Sequence, residues 1–117
     1  MYFKFEKIII WQKAMILGEK INELITTFPK KEMYNLSSQI MRAGDSIALN
    51  IAEGSISQSN PEFRRFMGYS IRSLAEVVTC FYKAKNRKYI SLSTFDTLYK
   101  ESYDLMNMMV AFKRNIN

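Results

Sequence analysis

A chain of 117 residues and 13.8 kDa has room for one domain, spanning residues 1–117, and not for two of ordinary size. With 48% hydrophobic residues, 24% charged residues and only 4 Gly and 2 Pro, it has a globular composition with few interruptions. The lack of any histidine excludes His-containing zinc and di-iron sites, Ser-His and Cys-His nucleophile pairs, and an imidazole base. No catalytic residue, metal site or cofactor is therefore expected, and the chain does not read as an enzyme. Lys and Arg number 17 against 11 Asp and Glu, a formal charge of +6 that favours anionic partners. Cys80 is the only cysteine, so no internal disulfide forms and a reducing, cytoplasmic setting is expected. No apolar run approaches the roughly 20 residues that a bilayer span needs, and no membrane association is expected.

Three breaks divide the chain: Phe28-Pro29, Gly54 to Pro61, and Asn86 to Ser93. The four segments between them carry apolar residues at helical spacing. The first presents Ile10, Ala14, Leu17, Ile21, Leu24 and Phe28, and the second presents Leu36, Ile40, Ala43, Ile47 and Ile51. The third presents Phe63, Met67, Ile71, Leu74, Val78 and Phe81, with Cys80 beside them as a small hydrophobe. The fourth presents Phe95, Leu98, Ser102, Leu105, Met109, Phe112 and Ile116. Met108 falls off this last stripe and is a candidate contact between subunits. Gly54 is expected to stop the second helix. Asn60, Pro61 and Glu62 fit the N-cap, first and second positions of the third, and Ser91 or Ser93 can cap the fourth. Four such helices with short connections imply an all-α, antiparallel up-down-up-down four-helix bundle.

The positive charge is not spread evenly. Residues 1–62 carry seven Lys/Arg and seven Asp/Glu, and residues 91–117 carry three of each, so both stretches are neutral. Residues 63–90 hold Arg64, Arg65, Arg72, Lys83, Lys85, Arg87 and Lys88 against Glu76 alone, or 7 − 1 = +6. One reading is structural: cations at a helix C-terminus offset its exposed carbonyls. The other is a strip for RNA or DNA, in which these seven residues meet phosphates while Tyr69, Tyr82 and Tyr89 stack on bases. An acidic or polymerase-like protein is the alternative partner for the same surface.

A second pattern lies on the second helix. Gln39, Arg42, Ser46, Asn50 and Glu53 step by 3, 4, 4 and 3 and share one face, and the third helix offers Ser70, Ser73 and Glu76 at similar spacing. An ordinary solvated face would look the same. The alternative is a polar network across helices or subunits, with Arg42 paired to Glu53 or Glu76 and Asn50 bonded to backbone.

The run from Ser38-Gln39-Ile40-Met41-Arg42-Ala43 to Asn50-Ile51-Ala52-Glu53-Gly54 resembles the signature of a bacterial four-helix-bundle family, the 23S rRNA intervening-sequence proteins. Trp11-Gln12-Lys13-Ala14-Met15, Phe28-Pro29-Lys30-Lys31-Glu32-Met33-Tyr34 and Glu62-Phe63-Arg64-Arg65-Phe66 resemble flanking family motifs, so the likeness runs from about residue 3 to 115. It implies a bundle that assembles as a ring-shaped homopentamer and is encoded within 23S rRNA genes or elsewhere in bacterial genomes. A related bundle is the accessory protein of diversity-generating retroelements, which engages reverse transcriptase and nucleic acid. The matched polar positions are Gln39, Arg42, Ser46, Asn50, Glu53 and Glu76, the ones the stripe itself selects. Two positions depart from the family: Ala48 stands where proline is frequent, and Arg72 where glycine is frequent. The first implies a milder kink in the second helix, and the second places a large cation where glycine would let backbones approach.

Overall fold

A computed structural model describes residues 1–117. After a 3-10 turn at Lys4–Lys7 come helices α1 (Ile9–Leu24), α2 (Leu36–Ser55), α3 (Asn60–Asn86) and α4 (Leu92–Arg114), with no strand. None of these helices is long and apolar enough to cross a membrane. The molecule measures 43 × 25 × 23 Å, its long axis set by the 27 residues of α3 at about 1.5 Å each. Each helix packs on the next in sequence, and α4 closes on α1. Contacting pairs run in opposite senses along neighbours: Ser73 meets Ser46 and Ser70 meets Ile47, while Arg64 meets Ile116 and Tyr82 meets Phe95. The expected four-helix bundle is thus the observed architecture.

The apolar stripes form a single cluster of 23 buried residues. All five residues read for α2 are buried, as are Ile10, Ala14, Leu17 and Ile21 of α1. On α3 the central line differs from the expected one. Ser70 and Val77 occupy it, while Ile71 and Val78 flank it half-buried. The line Phe63, Met67, Ser70, Leu74, Val77, Phe81 keeps helical spacing, but a serine hides it from a reading by hydrophobicity. Burial of Ser70 costs little because its hydroxyl donates to the Ile47 carbonyl at 2.6 Å. Ser102 is accommodated in the same way, donating to the Leu98 carbonyl at 2.8 Å.

The ends show where local chemistry was misplaced. α1 stops at Leu24 and a 3-10 turn, Ile25–Thr27, carries the chain to Phe28. α3 is capped by Ser59, one residue before the expected cap, with its Oγ accepting from the Glu62 N–H at 3.2 Å. Proline tolerates the shift because first-turn amides have no helical partner to lose. Ser91, not Ser93, caps α4, accepting from the Thr94 N–H at 3.0 Å. α2 runs unbroken from Leu36 to Ser55, through Ala48.

Gly54 does not stop α2. It lies inside the helix, buried, and no glycine here has positive φ. Its role is steric: a Cβ at Gly54 would sit 2.8 Å from both Phe63 Cδ1 and Phe66 Cβ, so α3 starts where α2 has no side chain. Gly44 is tight only against Ile21 Cδ1, also at 2.8 Å, the movable end of a flexible side chain. Gly54→Ala should therefore lower the unfolding free energy in urea by about 1–3 kcal/mol. Gly44→Ala should stay within about 1 kcal/mol of the parent, helix propensity offsetting a small shift of Ile21. Equal losses at both positions would contradict this account of Gly54.

Candidate functional site

The seven cations of residues 63–90 divide into two groups. Three are held by the fold. Arg64 is half-buried and donates from Nη1 to the Ile116 carbonyl at 2.9 Å, tying the start of α3 to the end of α4. Lys85 lies over the Phe95 and Tyr82 rings, at 4.3 and 5.0 Å from their centroids. Arg87 pairs with Glu32 at 3.1 Å.

That last contact belongs to a larger clasp. Glu32, 5% exposed, accepts from the Tyr89 hydroxyl at 2.7 Å and from Arg87 through Oε2. Its Oε1 accepts from the Leu36 N–H at 3.3 Å and from Asn35 Nδ2 at 3.1 Å. Tyr89 also packs its ring on Phe28, at 5.6 Å between centroids. The residues of the Phe28-to-Tyr34 motif thus join the α1–α2 connection to the exit of α3. The Tyr89 hydroxyl is the main influence holding the Glu32 carboxyl below its ordinary range. Burial opposes it, and Leu36, Arg87 and Asn35 reinforce it. The same hydrogen bond pushes the Tyr89 phenol up, with burial acting in the same direction. Tyr89 is consequently a structural residue and not a base-stacking one.

Arg65, Arg72, Lys83 and Lys88 have no acidic partner and are exposed. Lys88 has φ 62° in the turn that ends α3, where the Tyr89 N–H returns to the Ala84 carbonyl at 2.9 Å. The other three form a row. Lys83 follows Arg72 by 11 residues and Arg72 follows Arg65 by 7, close to whole numbers of turns, so they project from one side of α3 over roughly 27 Å. Arg65 and Arg72 lie over the rings of Phe66 and Tyr69, at 6.0 and 5.9 Å. A shallow groove of about 340 Å³ between α2 and α3 brings Gln39 and Arg42 together with Glu76 and Lys83.

The polar stripe of α2 splits as well. Its middle is an internal seam: Ser46 Oγ accepts from Asn50 Nδ2 at 2.8 Å and from Ser73 Oγ at 2.9 Å. Asn50 Nδ2 also donates to the Ser46 carbonyl at 2.8 Å, the backbone bond expected of it. The ends are open to solvent. Gln39 reaches only Asn35 Oδ1, at 3.3 Å, and Glu53 is exposed. Arg42 pairs with neither Glu53 nor Glu76; it lines the groove together with Lys83. Long exposed side chains gain little from surface pairing, which accounts for the missing bridge. Met108 is half-buried and lines a cleft with Ile8, Ile9 and Ile10. Cys80 is buried among core residues, and burial pushes its thiol up, away from reactivity.

The sequence reading missed the rings of α4. Tyr99 stacks on Phe95 (5.8 Å, 30°) and Tyr103 on Tyr99 (6.2 Å, 24°), and Tyr82 of α3 meets Phe95 and Tyr99 edge-on. Their spacing at i and i+4, Phe95-Tyr99-Tyr103, was the available signal.

The family model described as 23S rRNA-intervening sequence protein matches residues 6–111. Among solved structures, a protein of unknown function from the S23 ribosomal protein family of Bacteroides thetaiotaomicron has the same fold, with a TM-score of 0.85. The alignment covers 92% of this chain and 100% of the other at 18% identity. No curated protein matches.

The clasp makes a pH-dependent contribution of defined sign. With the Glu32 carboxyl lowered in the fold, its stabilisation is complete above the ordinary value near 4.5 and is lost as pH falls through the depressed folded value. The raised Tyr89 phenol acts oppositely, its share lost as pH climbs past its ordinary value of 10. Thermal unfolding between pH 2 and 7 should show Glu32→Gln melting below the parent at neutral pH, with the gap closing towards acid. A gap independent of pH would contradict a charged Glu32 in the fold.

Proposed function

This chain belongs to the 23S rRNA-intervening sequence protein family, and on that premise we propose that it is a non-enzymatic module that binds RNA or other nucleic acid along the outer side of α3. The observation that carries the reading is the row Arg65, Arg72 and Lys83, unpaired and exposed, with Arg42 joining it from α2. Cations that the fold does not consume, set along a rod, suit a chain of phosphates better than a point charge. Arg65 and Arg72 lie over rings, which restrains their guanidinium groups while leaving them open to phosphate. Glu76 interrupts the row on the Lys83 side.

Self-association is part of the same reading. Met15, Leu49, Met41 and Ile56 stand exposed on α1, α2 and the loop after α2, and Met15 and Leu49 border a largely apolar groove of about 380 Å³. Such a surface suits a second copy of the chain. The pentameric ring that the resemblance implies would repeat the basic row and raise avidity for a long polyanion.

Fluorescence anisotropy with labelled RNA, over a series of salt concentrations, tests the proposal, and sedimentation of the same samples gives the mass. With three or four phosphates engaged, affinity should fall about 20- to 150-fold from 50 to 200 mM salt. Combined Arg65→Glu, Arg72→Glu and Lys83→Glu should abolish binding at the lowest salt. No binding by the parent, or binding indifferent to salt, would overturn the reading; a monomeric mass would remove its avidity component.

A further inference from the structure

Resting on the nucleic-acid reading and deepening it, we infer that Tyr99 and Tyr103, the open end of an aromatic ladder backed by Tyr82 and the buried Phe95, are a stacking platform for unpaired bases, which makes single strands the preferred ligand. Tyr103 and Tyr82 are 57% and 42% exposed, and Tyr99 is 38% exposed. Their hydroxyls hold nothing in the protein; Tyr89 is the tyrosine whose hydroxyl is committed. What the ladder presents is π-face. Phe95, Tyr99 and Tyr103 succeed one another by a turn of α4 with interplanar angles of 30° and 24°. Phe95 is buried at the base, Tyr99 and Tyr103 offer accessible surfaces of similar orientation, and Tyr82 abuts Phe95 and Tyr99 from α3.

Charge names the occupant. Lys85 sits against the Phe95 and Tyr82 rings, and Tyr82 precedes Lys83, about 100° around α3 from the end of the basic row. An apolar protein surface would find cations at this edge, whereas a single strand presents both an anionic backbone and planar bases. In a duplex the bases are stacked on each other and withheld from side chains, so only the row would engage it.

The test uses the full chain with two labelled probes, a 20-nucleotide oligouridine and a 20-base-pair RNA duplex, by anisotropy and sedimentation. The parent should bind the single strand more tightly. Tyr99→Leu with Tyr103→Leu should weaken that binding about tenfold or more, leaving duplex binding and the salt slope unchanged, since stacking on exposed rings is lost without loss of charge. Tyr99→Phe with Tyr103→Phe should bind as the parent does, because the ring and not the hydroxyl is used. Equal binding of both probes, with the Leu variant like the parent, would overturn the platform and leave the basic row standing. Failure of both probes to bind at low salt would overturn the row and the platform together. A changed mass in the Leu variant would assign the ladder to contacts between copies and overturn the platform.

Discussion

A carboxylate almost wholly withdrawn from water stays charged only if its lone pairs are occupied, and Glu32 meets that condition with four donors from two parts of the chain. Leu36 and Asn35 come from the start of α2, and Arg87 and Tyr89 from the exit of α3. One end of the bundle is thereby pinned: the chain leaving α1 is fastened to the turn that enters α4. Opposite this end, Gly54 lets the start of α3 close on α2, and Arg64 fastens α3 to the last residues of the chain. The seam of Ser46, Asn50, Ser70 and Ser73 holds the span between.

The clasp also divides the positive charge. Arg87 and Tyr89 lie within the most basic stretch of the sequence, and Glu32 consumes them both. Lys85 is spent on two rings and Arg64 on a carbonyl. The cations that remain are fewer but better ordered than the sequence count suggests, aligned along α3 with Arg42 beside them. The anchored cations are therefore structural, while the aligned ones stand exposed and without an acidic partner.

Much of the fold was legible because apolar spacing reports burial directly. The α2 stripe from Leu36 to Ile51 was correct at every position. The misses have physical causes. Ser70 lies at the centre of α3 since its hydroxyl has a carbonyl to bond, and composition cannot show a partner 23 residues away. Gly54 resembles a helix stop, yet its function is the space it leaves for Phe63 and Phe66, known only once α3 is placed. The candidate site was less legible. Charge runs mark where cations are but not which are already paired, so Arg87 looked the same as Lys83. Tyr99 and Tyr103 lie outside the charged stretch, on α4, and net charge carries no sign that Tyr99 meets Tyr82 or stacks with Tyr103.

The division between anchored and available cations is the central claim, and neutralising one member of each group tests it most directly. Arg87→Gln and Lys83→Gln would be compared by melting temperature and by the slope of log affinity for RNA against log salt. Arg87→Gln should melt lower and keep the parent's slope, whereas Lys83→Gln should melt as the parent does and lose about 0.7–0.9 from the slope. Equal loss of slope in both variants, with neither melting lower, would show that the clasp does not partition the charge.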